Sequence, residues 1–224
     1  MLGLKKSDLQ IQQDVLRELR WDTRLGATEV GVETDKGIVT LTGTVDSFAK
    51  KGAASEAAHR VQGVLDVAND INVHFPGVGT PTDAEVAAAV RHALEWDVFV
   101  PHRQIRSTVA DGWVTLEGEV HHIRQRLDAE AAIRNITGVK GLWNEIRVKA
   151  PKVDPVQIRK TIHDALERRV DREADRIKVD VDDGTVRLTG RVPSWMQKQA
   201  VLGAVAHAPG VSAVTDELRI DFSA

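Results

Sequence analysis

Residues that could do chemistry are numerous in this chain and badly spaced for it. Among eight histidines the only adjacent pair is His121-His122. A metal site needs ligands three or four positions apart on one helix face, or a supporting shell of carboxylates, and this pair has neither. The chain has no cysteine, which excludes disulfides, thiolate metal sites and a cysteine nucleophile. Neither a Gly-x-Ser-x-Gly elbow nor a phosphate-loop lysine occurs. Gly77-x-Gly79 lacks the third glycine and the strand-turn-helix setting of a dinucleotide loop. The expectation is no catalytic residue, no metal and no cofactor. A different chemistry is suggested by Trp113, Trp143, Arg106, Arg147 and Lys149, with Phe99 nearby in the chain. Indole rings settle at the depth of lipid head groups, and cations beside them meet phosphate.

The elements that must position these residues come from a repeat. Asp35-Lys36-Gly37-Ile38-Val39-Thr40-Leu41-Thr42-Gly43-Thr44-Val45 returns as 110–120 and again as 182–192, starting 75 and then 72 residues on. In every copy a further glycine follows after 20 residues, Gly63, Gly138 or Gly210, each before a valine. Matched spacings in triplicate indicate three copies of one supersecondary unit, which divide the chain as 1–75, 76–150 and 151–224.

Each copy opens on an N-cap signature: Ser7-x-x-Gln10, Thr82-x-x-Glu85 and Asp154-x-x-Gln157, the last with Pro155 at the first helical position. Apolar trios at i, i+4, i+8 follow: Ile11, Val15, Leu19; Val86, Val90, Leu94; Ile158, Ile162, Leu166. Period-two alternation then marks two strands around a turn with Lys or Asp before its glycine, Gly37, Gly112 or Gly184, which suits a hairpin needing positive φ. Gly43, Gly118 and Gly190 fall on the inward side of the second strand, where a glycine admits a helix or marks a bulge. An alanine-rich helix comes next. Gly63, Gly138 and Gly210 suit the left-handed position that ends it. A short third strand closes each copy at Ile71-Asn72-Val73, Ile146-Arg147-Val148 and Leu218-Arg219-Ile220. Just before it, Asn69, Asn144 and Asp216 are expected to bond local backbone.

The fold class is therefore α+β: three tandem αββαβ repeats, each a three-stranded mixed sheet with two helices on one face. The linkers Pro76-Gly77-Val78-Gly79-Thr80-Pro81 and Ala150-Pro151-Lys152-Val153 restrict pivoting. By strand alternation Arg106, Trp113, Trp143, Arg147 and Lys149 share the outward face of the second sheet. Phe99 lacks an apolar counterpart in the other copies, whereas Val100 aligns with Leu25. Two readings of the tryptophans stay open: an exposed anchor, or burial between docked repeats. At the helix-two starts, Phe48, Ile123 and Trp195-Met196 are expected to pack.

Gly37-x-Val39-x-Leu41-x-Gly43-x-Val45 and Gly63-Val64-x-x-Val67-x-Asn69-x-Ile71-x-Val73, with their counterparts, resemble the BON domain, named for bacterial osmotically inducible and nodulation proteins. The resemblance covers nearly the whole chain. It implies an αββαβ fold, no catalysis, and association with phospholipid surfaces during osmotic or envelope stress. It carries the partner expectation of an anionic phospholipid surface or an envelope protein. Net charge is −3, so no long-range field draws nucleic acid. No apolar run reaches the roughly 18 residues of a membrane-spanning helix. The N-terminus lacks the apolar core of a secretory signal, so the expected place is the cytoplasm, or the periplasm if that end is trimmed. A protein-interaction or chaperone-like scaffold is the alternative function, with ion or small-solute sensing behind it. Oligomeric state is open.

Overall fold

The structure, a computed structural model, describes residues 6–26, 29–75, 79–170 and 177–222, without the side chains of 169 and 170. The first five residues, linker positions 76–78 and the third-repeat positions 171–172 lie outside the described residues.

Repeat one runs α1 (Asp8–Trp21), β1 (Val30–Asp35), β2 (Ile38–Val45), α2 (Phe48–Arg60) and β3 (Asp66–Val73). Repeat two runs α3 (Asp83–Trp96), a 3-10 turn (His102–Gln104), β4 (Ile105–Ala110), β5 (Trp113–Val120), α4 (Ile123–Ile133) and β6 (Gly141–Val148). Repeat three runs α5 (Pro155–Val170), β7 (Ile177–Asp182), β8 (Thr185–Val192), α6 (Trp195–Ala206) and β9 (Ala213–Ile220). In each sheet the middle strand pairs antiparallel with the first and parallel with the third. The fold is α+β, with three separate mixed sheets.

Three cores form, one per repeat, and the helix trios lie in them. Ala53, Ala54, Ala57 and Ala58 are fully buried, which lets α2 approach its sheet closely. Ser7 and Thr82 close complete capping boxes with Gln10 and Glu85, while Asp154 accepts from the Val156 N–H at 2.8 Å.

The hairpins turn through two positive-φ residues, Lys36-Gly37, Asp111-Gly112 and Asp183-Gly184, the torsions that match the strand twist. In repeats one and two a helix-one aspartate accepts both turn amides. Asp8 bonds Lys36 N–H and Gly37 N–H at 3.0 and 2.9 Å, and Asp83 bonds Asp111 and Gly112 at 2.8 and 2.9 Å. Repeat three has Pro155 at this position.

Three expectations need correction. Gly63, Gly138 and Gly210 have positive φ but do not end the helices: α2 is capped at Val61 and α4 at Arg134. The glycines sit in the reverse turns beyond, where Val64 N–H reaches Val61 O and Val139 N–H reaches Ile136 O, and helix one covers them. A Cβ at 138 would come within 2.5 Å of Val86. Second, Gly43 and Gly118 make room for backbone, not for a helix. An added Cβ would meet the carbonyl entering the first strand, Glu29 O at 2.8 Å or Gln104 O at 2.1 Å. Third, the last strand is longer than its apolar core, because parallel pairing runs along all of β2, β5 and β8. Asn69 and Asn144 are thus inside strands. Besides their local bonds to Ile71 and Ile146 N–H, they donate to Lys51 O at 2.8 Å and Arg126 O at 3.0 Å on helix two. In repeat three Asp216 makes the same tie by accepting from Lys198 at 2.9 Å.

The repeats touch through their second helices. Phe48 packs partly against the core of repeat two. Trp195 stacks on His59 of repeat one, centroids 5.1 Å apart and planes 5° from parallel. Burial lowers the His59 pKa, disfavouring the charged ring. Beyond α1, Asp22 accepts from both Arg24 and Arg60 at 2.8 Å. Chiefly through Arg24, its carboxyl is held well below the usual carboxylate range.

Candidate functional site: the open face of the second sheet

Helices cover one face of the β4-β5-β6 sheet, and alternation puts every second side chain on the other. Trp113 opens β5 directly opposite Gly141, and Trp143 on β6 is opposite Thr115. The Trp113 ring lies over Gly141: a Cβ there would be 2.3 Å from Trp113 Cζ3. The two indoles contact each other, centroids 5.6 Å apart and planes 22° from parallel. They are 43% and 58% exposed. Their place is the outer surface, and the reading that buries them between repeats is set aside.

At the opposite end of the same face, Arg106, Arg147 and Lys149 line an open recess of 830 Å³ with Gln104, Glu117, Glu119 and Glu145. Lys149 Nζ pairs with Glu119 at 2.5 Å and holds that carboxyl below its ordinary range. Arg106, Arg147, Glu117 and Glu145 make no ion pair with any described residue. Glu117 and Glu145 are direct partners across the parallel strands, and Arg106 is Glu117's partner on the other side.

Phe99 is on neither part. It sits in the loop after α3, 72% exposed beside exposed Trp96 and Val98, and its N–H donates to Asp97 at 2.9 Å. Val100 is buried in the core. The loop borders a second recess of 450 Å³, with Gln104 shared between the two. The six expected residues thus divide into an aromatic pair, a basic trio around a recess, and a separate apolar loop. The sequence reading missed Glu117 and Gly141, and noted Glu145 only as the acid that follows Asn144. The same alternation that selected Trp113 and Arg147 puts all three on this face, so the signal was present.

His121 lines the recess and its Nδ1 is 3.4 Å from Lys149 O; His122 is exposed. One group of potential metal ligands occurs among the described residues: His163, Asp164 and Glu167 on the outer side of α5. Its i, i+4 pair, His163 to Glu167 at 3.3 Å, also escaped the sequence reading. No helix among the described residues is long and apolar enough to cross a membrane.

The sequence profile of the BON domain matches residues 7–74, 82–150 and 154–221. The osmotically-inducible protein Y of Escherichia coli K12 is 31% identical over 127 residues, 55% of this chain and 63% of that protein. The match therefore spans less than two thirds of the relative's length. Two solved structures of CdsD, a structural protein of the type III secretion system of Chlamydia trachomatis, align at 14% identity. One covers 95% of this chain and 92% of CdsD with a TM-score of 0.27. The other, its C-terminal domain, covers 97% and 100% with a TM-score of 0.26. Likeness at that level carries no argument.

Proposed function

We propose, starting from the fact that this chain belongs to the BON domain family, that it is a non-enzymatic protein that binds peripherally to anionic phospholipid at an envelope surface during osmotic stress. The stress setting follows the relative's name, the osmotically-inducible protein Y. The observation that carries the membrane reading is the open face of repeat two. Two exposed indoles share that face with Arg106 and Arg147, which form no ion pair with any described residue, although Glu119 is the cross-strand neighbour of Arg147. A guanidinium without a partner is ready for bidentate contact with phosphate, and indoles beside it suit the boundary between head groups and acyl chains. The recess is shallow and open, suited to a surface rather than an enclosed substrate. Phe99, Trp96 and Val98 add an apolar tip.

Co-sedimentation of the full chain with vesicles tests this. Trp113→Ala with Arg147→Ala is expected to weaken pelleting with anionic vesicles several-fold. Wild-type and variant pelleting equally, or neither pelleting, would remove the membrane reading. A stable complex recovered from lipid-free lysate would then favour the scaffold alternative.

A further inference from the structure

The charges of this face do more than supply cations. Around the recess stand three basic groups, Arg106, Arg147 and Lys149, and three carboxylates, Glu117, Glu119 and Glu145. One pair, Lys149 with Glu119, is internally satisfied. What remains is two guanidinium groups and two carboxylates, all exposed, in no ion pair with any described residue. Glu117 and Glu145 are directly opposite one another on adjacent strands. Like charges in that position repel, and the repulsion is relieved by a cation between them. A purely anionic ligand brings none and adds repulsion of its own.

We infer that this recess takes a phosphate–ammonium zwitterion, the head group of an ethanolamine phospholipid, with Arg147 on the phosphate and Glu117 and Glu145 bridged by the primary ammonium. Dimensions agree. Glu117 and Glu145 are neighbours across one strand spacing, and Arg147 is two residues beyond Glu145, so Arg147 is roughly 5–7 Å from the carboxylate pair along the strand, while Arg106 flanks Glu117 on its other side. That distance is about the span of a phosphate joined to an amine through two carbons. A primary ammonium offers three N–H donors to two carboxylates; a trimethylammonium offers none. At the other end of the face, the indole pair meets the acyl boundary of the same membrane. The neighbouring repeats supply a control. The positions of Glu117 and Arg106 are Thr42 and Gly31 in repeat one and Thr189 and Lys178 in repeat three, and Glu217, at Glu145's position, is held by Arg187.

This inference rests on the membrane reading above and changes its ligand at this recess, from an anionic head group to a zwitterionic one. The test uses the full chain with phosphatidylcholine vesicles alone, with added phosphatidylethanolamine, and with added phosphatidylglycerol. Free phosphoethanolamine serves as competitor, and a thermal melt of each variant reports folding. Ethanolamine lipid is expected to strengthen binding about tenfold over the plain vesicles, and Glu117→Gln with Glu145→Gln to abolish that gain. The same variant should bind glycerol-lipid vesicles as well as wild type or better. Millimolar phosphoethanolamine should displace the protein from ethanolamine vesicles. Equal binding to both lipid mixtures, unaffected by the double variant, would overturn the zwitterion and leave the membrane reading standing. Binding of free phosphoethanolamine without binding to any vesicle would overturn the membrane source. Failure to bind any vesicle or the free head group would remove both readings.

Discussion

Repeats two and three build the same recess on the same strands and fill it with opposite intent. In repeat three it measures 570 Å³ and is lined by Thr189, Arg191, Glu217 and Arg219. Two of its three charged lining residues are held from outside the recess, Glu217 by Arg187 and Arg191 by Asp221 at 3.0 Å, while Arg219 makes no ion pair with any described residue. Thr185 and Thr215 stand where repeat two has Trp113 and Trp143. In repeat two the aromatic pair is present, and both arginines and two of three carboxylates form no ion pair with any described residue. Conserving strand register while changing outward residues costs the core nothing, because alternation separates the two faces. A binding surface can therefore appear in one copy without disturbing the unit that carries it.

The comparison fails if the two faces do not ride on separate cores, and Gly118 tests that most severely. Its φ is +143°, and an added Cβ would stand 2.1 Å from Gln104 O. Gly118→Val is expected to destabilise repeat two by about 3–5 kcal/mol. Hydrogen exchange should show β4–β6 losing protection while β7–β9 keep theirs; equal loss in both would show one cooperative unit. A smaller effect is expected from Asp83, which ties helix one to the hairpin amides in repeat two where repeat three has Pro155. Asp83→Ala should cost about 1–2 kcal/mol, read as a lower denaturation midpoint and faster exchange at the Asp111 and Gly112 amides. The smallest effect is the sharpest for function. Thr185→Trp and Thr215→Trp with Ala213→Gly transplant the aromatic pair into repeat three. Stability should change by less than about 1 kcal/mol, and new quencher-accessible fluorescence should appear. In a chain also carrying Glu117→Gln and Glu145→Gln, the graft is expected not to restore ethanolamine-lipid preference, because Arg187 already occupies Glu217. Restoration would show that the indoles alone confer the preference.

Much of this architecture was legible in the residues. The αββαβ order, the buried trios of helix one, the positive-φ hairpins and the capping boxes of repeats one and two all depend on neighbours within a few positions, and local sterics and periodicity record such contacts directly. Asn69 shows the limit. Its bond to Ile71 N–H is local and was expected, but its bonds to Lys51 O and Ser55 Oγ depend on where helix two lies over the sheet. Gly118 shows another: its spacing marked it as special, but the carbonyl of Gln104 is what fills the space.

For the open face, the chain alone dictated which side chains point outward, since a strand alternates with period two whatever surrounds it. The folded molecule decided which of them meet. Parallel registry sets Glu117 against Glu145 and lays Trp113 across Gly141, and no described residue of another repeat covers the two indoles. Phe99 is carried to a separate loop. Those outcomes belong to register and to helix placement, which arise from contacts between distant segments and leave no periodic trace in the sequence.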